Sequence, residues 1–197
     1  RYRKLVDRVK AAADDGGYGE DLPRAVAIGY AKLLAYKDEY EVARLFTDGS
    51  FEKQLAEHFE GDYKISFNLA PPILGSGLDA QGRPKKRAFG PGMMKVFRQL
   101  AKLRVLRGTL LDIFGYSRDR RLERSLIASY EQDVAAVLSS LSSANIDTAV
   151  ELLSLPDRIR GYGPIKEKAA ADVKARHEKL TADLASPPPA PRQLAAE

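Results

Sequence analysis

Cysteine is absent from all 197 residues, which excludes disulfide stapling, thiolate-held iron–sulfur clusters, Cys-type zinc sites and cysteine nucleophiles. Histidine is almost absent. His58 and His177 stand 119 positions apart, so an imidazole metal cluster or a Ser-His-Asp arrangement has little to be built from. Apolar runs extend only a few residues and are too short to span a bilayer. The opening residues, Arg1-Tyr2-Arg3-Lys4, lack an initiator methionine and an apolar signal core, and the chain reads as a piece of something longer. Phosphate loops need a strand, a glycine-rich turn and a helix in that order. Gly75-Ser76-Gly77 lacks both the following spacing and a Gly-Lys-Ser/Thr.

What is present is enough apolar material for one sizeable core: 44% of the residues are apolar, and a chain of this size buries roughly 70% of its extended surface on folding. Helical spacing recurs from Tyr2 to Ala13, and Gly16, Gly17 and Gly19 then break it. Asp21 is an N-cap candidate with Pro23 in the first turn. The longest helical pattern runs from Leu22 to about Thr47, and Gly29 within it marks a close helix crossing. A short helix follows over Phe51–Phe59. Strict alternation at Tyr63, Ile65, Phe67 and Leu69 reads as a half-buried strand, and Arg83–Phe89 as its return. Pro91 starts a helix to about Arg107 whose buried side is set by Met94, Phe97, Leu100/Ala101 and Arg104, with Leu103 beside them. Leu110–Tyr116 is a compact apolar link. Ser117 caps a long helix with a stripe at Leu122, Leu126, Tyr130 and Val134. A short helix over Asn145–Leu153 and a polar one from Pro164 to about Ala185 complete the set. The reading is mainly α: about six helices packed as one domain over residues 1–185, with a small two-stranded antiparallel excursion, and a proline-rich disordered tail over 186–197.

Charge is polarised along the chain. Between Glu20 and Asp62 ten acidic residues stand against five basic ones, whereas Arg83 to Arg107 holds nine basic residues and no acidic one. Arg118, Arg120, Arg121 and Arg124 follow. Three readings stay open: an electrostatic match with the acidic first third, contact with an anionic neighbour, or nucleic acid. No helix-turn-helix, RNA-binding strand motif or Gly-x-x-Gly loop supports the third. The candidate anion or partner contacts are Lys37, Lys85, Lys86, Arg87 and Lys95, together with Arg98, Arg104, Arg107, Arg120 and Arg121. Lys37 and Glu41 form an i,i+4 pair on the long helix. Gly90-Pro91-Gly92 before a helix reads as a turn, with an anion site at the helix start, helped by Lys95, as the competing reading. His58 reads as a surface or cap residue. No residue is assigned a catalytic or metal-binding role.

Several blocks of the chain are similar to the C-terminal domain of the single-chain indolepyruvate ferredoxin oxidoreductase family, a branch of the 2-oxoacid:ferredoxin oxidoreductases. They are Tyr30–Gly49, Phe59-Glu-Gly-Asp-Tyr63, Leu69-Ala-Pro-Pro72, Pro84-Lys-Lys-Arg-Ala-Phe-Gly-Pro91, Leu103–Tyr116 and Arg158-Ile-Arg-Gly-Tyr-Gly163. Together they fall within about residues 30–170. The resemblance implies a cytoplasmic, homodimeric parent that uses thiamine diphosphate, Mg and iron–sulfur clusters. That parent decarboxylates an aryl-pyruvate, passes electrons to ferredoxin and transfers the acyl group to coenzyme A. It also implies that this chemistry lies in upstream domains of the parent, which are partners of this segment, and that no cofactor is held here. The competing reading is a scaffold or protein-binding domain of an unrelated multidomain protein. Neither reading calls for a membrane or nucleic acid.

Overall fold

The computed structural model describes residues 1–36, 38–70, 77, 79, 85–161 and 163–186. The Lys37–Glu41 pairing and the tail beyond Ser186 lie outside the described residues. The described chain is 69% helical, with eight α-helices and one two-stranded antiparallel sheet. Its contacts divide it into two compact units: Arg1–Tyr36 with Leu122–Glu197, and Lys37–Arg121.

The first unit contains α1 (Tyr2–Gly16), α2 (Asp21–Leu34), most of α6 (Arg118–Ser140), α7 (Ile146–Ser154) and α8 (Pro164–Ala185). α1 stops where the glycines predict. Gly17 adopts a left-handed conformation at φ 67°, and its N–H turns back to the last carbonyls, a conformation open to glycine at little cost. α2 begins at Asp21 itself, and no side chain caps it. Val9, Leu22, Val26, Tyr30, Val134 and Leu153 are among the buried residues of the core. At Gly29 α2 passes close to both α6 and α7. A Cβ built there falls 2.8 Å from both the Leu153 carbonyl oxygen and the Tyr130 hydroxyl. That proximity lets the Tyr130 O–H donate to the Leu153 carbonyl at 2.9 Å and lets Tyr30 stack on Tyr130 at 5.9 Å. The Tyr30 O–H donates to Glu131, which Arg1 also grips through two hydrogen bonds of 2.7 Å. Two polar ties that the apolar stripe does not reveal join α6 to α8: buried Glu123 with Lys166 at 2.6 Å, and Asp133 with His177 at 2.9 Å.

The second unit overturns the expected helix count. The pattern from Leu22 to Thr47 is two helices: α2 ends at Leu34 and α3 covers Glu39–Thr47. Asp38 is the cause. Its backbone is extended (φ −100°, ψ 179°), and its buried carboxylate accepts from the Glu41 N–H at 2.8 Å. An aspartate satisfies a free helix-start N–H better than it serves inside a helix. α4 (Ser50–His58) follows, and then β1 (Phe67–Leu69) pairs antiparallel with β2 (Arg87–Phe89), Phe67 opposite Phe89. The strand is shorter than the alternation predicts. Ile65, Phe67 and Leu69 do face the unit's core, but Tyr63 is half exposed and outside the ladder. α5 (Met93–Lys102) gives way to a 3₁₀ turn at Leu103–Leu106. That change of winding turns Leu103 and Arg104, expected on the buried side, out to solvent. The core is largely aromatic. Phe46 stacks on Phe97 at 5.2 Å, and Phe67 meets both edge-on at 5.3 Å, an arrangement that suits the charge distribution of the rings.

The crossing at Gly29 makes a direct prediction. Alanine is worth about 1 kcal/mol more than glycine in a helix interior, but the Leu153 carbonyl is backbone and cannot rotate away. Gly29→Ala is therefore expected to destabilise by about 1–3 kcal/mol, read as a lower urea midpoint by circular dichroism. A midpoint equal to or above that of the parent chain contradicts the close crossing.

Candidate functional site

The segment after α5 reverses the usual placement of apolar and charged residues. Asp112 is 5% exposed, and its carboxylate accepts three hydrogen bonds: from the Gly108 N–H at 2.8 Å, the Gly115 N–H at 3.0 Å and the Tyr40 O–H at 3.2 Å. Burying an ionised carboxylate costs several kcal/mol unless donors surround it, and here the donors come from both ends of the loop and from α3. Two glycines make room for them. Gly108 turns at φ 76°, and a Cβ on Gly115 falls 2.7 Å from an Asp112 oxygen. Phe114 is buried edge-on to Tyr40 at 5.3 Å. The Tyr116 O–H closes the loop by donating to the Leu110 carbonyl at 3.0 Å. With the acid inside, the apolar side chains face outward. Leu110 is 89% exposed, Leu111 68% and Ile113 63%.

The basic candidates separate into two groups. Arg107 enters the loop and holds Asp38 through its Nε and Nη2, each 2.6 Å from a carboxylate oxygen. Arg120 lies beside Glu39 with Nε and Oε2 3.5 Å apart, an ion pair in which those two atoms make no hydrogen bond. Both arginines thus face carboxylates at the start of α3. Lys85, Lys86 and Arg87 are exposed on and beside β2, as are Arg104 in the 3₁₀ turn and Arg121 in the first turn of α6. Lys95, Arg98 and Lys102 recur at spacings of three and four along the exposed side of α5, opposite buried Phe97. Among the described residues no carboxylate comes within ion-pair distance of Lys95, Arg98, Lys102 or Arg104. Lys37 is outside the described residues.

The surroundings shift the ionisable groups in definite directions. Burial, reinforced by the Asp112 carboxylate, pushes the Tyr40 phenol up to about 12. Burial also raises Glu39. Glu41 is lowered by the hydrogen bonds it receives from Arg44. Gly90-Pro91-Gly92 forms a turn whose carbonyls take up the N–H groups of Met93, Met94 and Lys95 at 3.0–3.1 Å, so those N–H groups are occupied. His58 is exposed at the end of α4, its Nδ1 2.8 Å from the Gln54 carbonyl.

Asp112, with its donors in place, anchors the loop. The chain has no cysteine, and among the described residues no three metal-binding side chains converge. No helix among them is long and apolar enough to cross a membrane. Sequence reasoning missed Asp112 and Tyr40. The available signal was a lone carboxylate inside the apolar run Leu110–Tyr116, three residues before Gly115.

The fold and site define a mainly helical, two-unit chain with an acid-anchored loop and an exposed basic helix face. The chain matches the family of unknown function DUF6537 over residues 1–179 and belongs to that family. No curated protein and no solved structure matches it.

Asp112→Asn keeps the size of the side chain but turns an NH₂ toward an N–H or O–H donor, leaving buried groups unpaired. It is expected to cost about 1–3 kcal/mol in the urea transition of the second unit; an unchanged transition contradicts the anchor. Alkaline pH tests Tyr40. Its folded pKa lies above the ordinary 10.0, so its contribution is complete below pH 10 and is lost as pH rises toward about 12. The stability difference between the parent chain and Tyr40→Phe should shrink across that window, and a constant difference contradicts the assignment.

Proposed function

We propose that this chain is a non-catalytic domain of an aryl-pyruvate (indolepyruvate) ferredoxin oxidoreductase, whose other domains oxidatively decarboxylate a 2-oxoacid to an acyl-CoA. The observation that carries this reading is the block Leu103–Tyr116. It is one of the stretches that resemble that enzyme family, and it coincides with the acid-anchored loop, whose sequence is constrained at Gly108, Asp112 and Gly115. On this reading thiamine diphosphate, Mg and the iron–sulfur clusters belong to upstream domains, and coenzyme A and ferredoxin are the parent's co-substrate and acceptor. A cytoplasmic homodimer is part of the same reading. The domain's contribution is structural: it supports or docks against the catalytic parts without supplying a reacting group.

Two measurements test this. The purified 197-residue chain, expressed anaerobically with iron in excess, is expected to carry no stoichiometric iron and to oxidise no 2-oxoacid. The longer reading frame is expected to encode thiamine-binding and cluster-ligand regions upstream. Turnover by the chain alone refutes the non-catalytic role. A frame without those regions removes the oxidoreductase and leaves a protein-binding domain of a different parent.

A further inference from the structure

The exposed surface of α5 and of the loop after it has a composition that solvent alone does not favour. Val96 and Leu103 stand beside Lys95, Arg98 and Lys102 along the open side of the helix. The 3₁₀ turn then adds exposed Arg104 and Val105, and the loop adds Leu110, Leu111 and Ile113. Exposed apolar side chains set among charged ones mark interaction surfaces, and the loop that carries Leu110, Leu111 and Ile113 is held in shape by buried groups. Asp112 fixes the loop from within, and the Tyr116 O–H ties it to the Leu110 carbonyl. A surface ordered beforehand loses little entropy when a partner arrives.

We infer that the outer side of α5 and the Leu103–Ile113 segment form a docking surface for a protein whose contact face interleaves apolar and acidic side chains. Charge complementarity selects this occupant. Lys95, Arg98 and Lys102 have no carboxylate at ion-pair distance among the described residues, and Arg104 feels only the more distant Glu41, so a partner supplying fixed carboxylates beside them adds attraction. A second copy joined through the same patch brings like charges together. A bilayer asks for apolar side chains at one depth and cations at another; here the two kinds interleave residue by residue from Lys95 to Val105. Nucleic acid gains nothing from outward leucines. The inference holds whichever parent carries the domain.

The test uses the whole chain and a synthetic helical peptide with a leucine face flanked by glutamates, alongside the same peptide with lysines in place of the glutamates. The glutamate peptide is expected to bind, more weakly as salt rises, and the lysine peptide is expected not to. Binding should fall about tenfold or more in Leu110→Ser/Leu111→Ser and in Lys102→Gln/Arg104→Gln. These side chains are exposed, so an unchanged circular dichroism spectrum and melting curve verify folding in each variant. No binding of the glutamate peptide, or binding that survives loss of the leucines, overturns the proposal. It is also overturned if the serine variant abolishes self-association seen by sedimentation velocity, or if the chain prefers vesicles of phosphatidylserine and phosphatidylcholine through the same residues.

Discussion

The buried Asp112 carboxylate, with its donors from Gly108, Gly115 and Tyr40, sets the terms for the second unit. A charge held away from water must be met by donors or be neutralised. Meeting it fixes two backbone N–H groups of the loop and one phenol of α3. The dependence runs both ways: α3 sends Tyr40 to the loop's carboxylate, and the loop sends Arg107 to Asp38, the residue that starts α3. Helix start and loop therefore hold each other through two buried acids. Loss of either acid leaves its own donors unpaired and loosens the element that carries the other acid or its partner.

The outward apolar side chains follow from this geometry. In Leu110–Tyr116 the backbone places Asp112, Phe114 and Gly115 inside, and the intervening residues have no inward direction left. The same reasoning divides the basic block. Arg107 and Arg120 answer Asp38 and Glu39, so part of the charge asymmetry read along the chain is matched within the unit. Among the described residues Lys95, Arg98 and Lys102 on the exposed side of α5 have no carboxylate at ion-pair distance.

Periodicity and punctuation made much of the helical layout legible. The stop at Gly17, the close approach at Gly29, the cap by Ser117 (its Oγ accepts the Arg120 N–H at 3.3 Å) and the core-facing Phe67 all rest on local rules. The break at Asp38 was not legible because the apolar stripe continues across it in phase. Tyr30 and Leu33 serve the first unit's core and Ala43 the second's, and a period cannot show that the partner has changed. The direction of Leu110–Tyr116 was hidden for a related reason. An apolar run ordinarily reads as core, and only Tyr40, far away in sequence, helps to decide that the carboxylate takes the inside. The run of cations was plain, but which of them meet carboxylates depends on where α3 begins.

Native-state hydrogen exchange at the loop tests the central claim most directly, namely that a buried carboxylate holds an outward-facing apolar loop in one conformation. The Gly108 and Gly115 amides donate to Asp112, so they should exchange about as slowly as the helical amides of α3, opening only when the second unit unfolds. Exchange of these two amides at the rate of an unstructured chain, while α3 stays protected, would contradict the account.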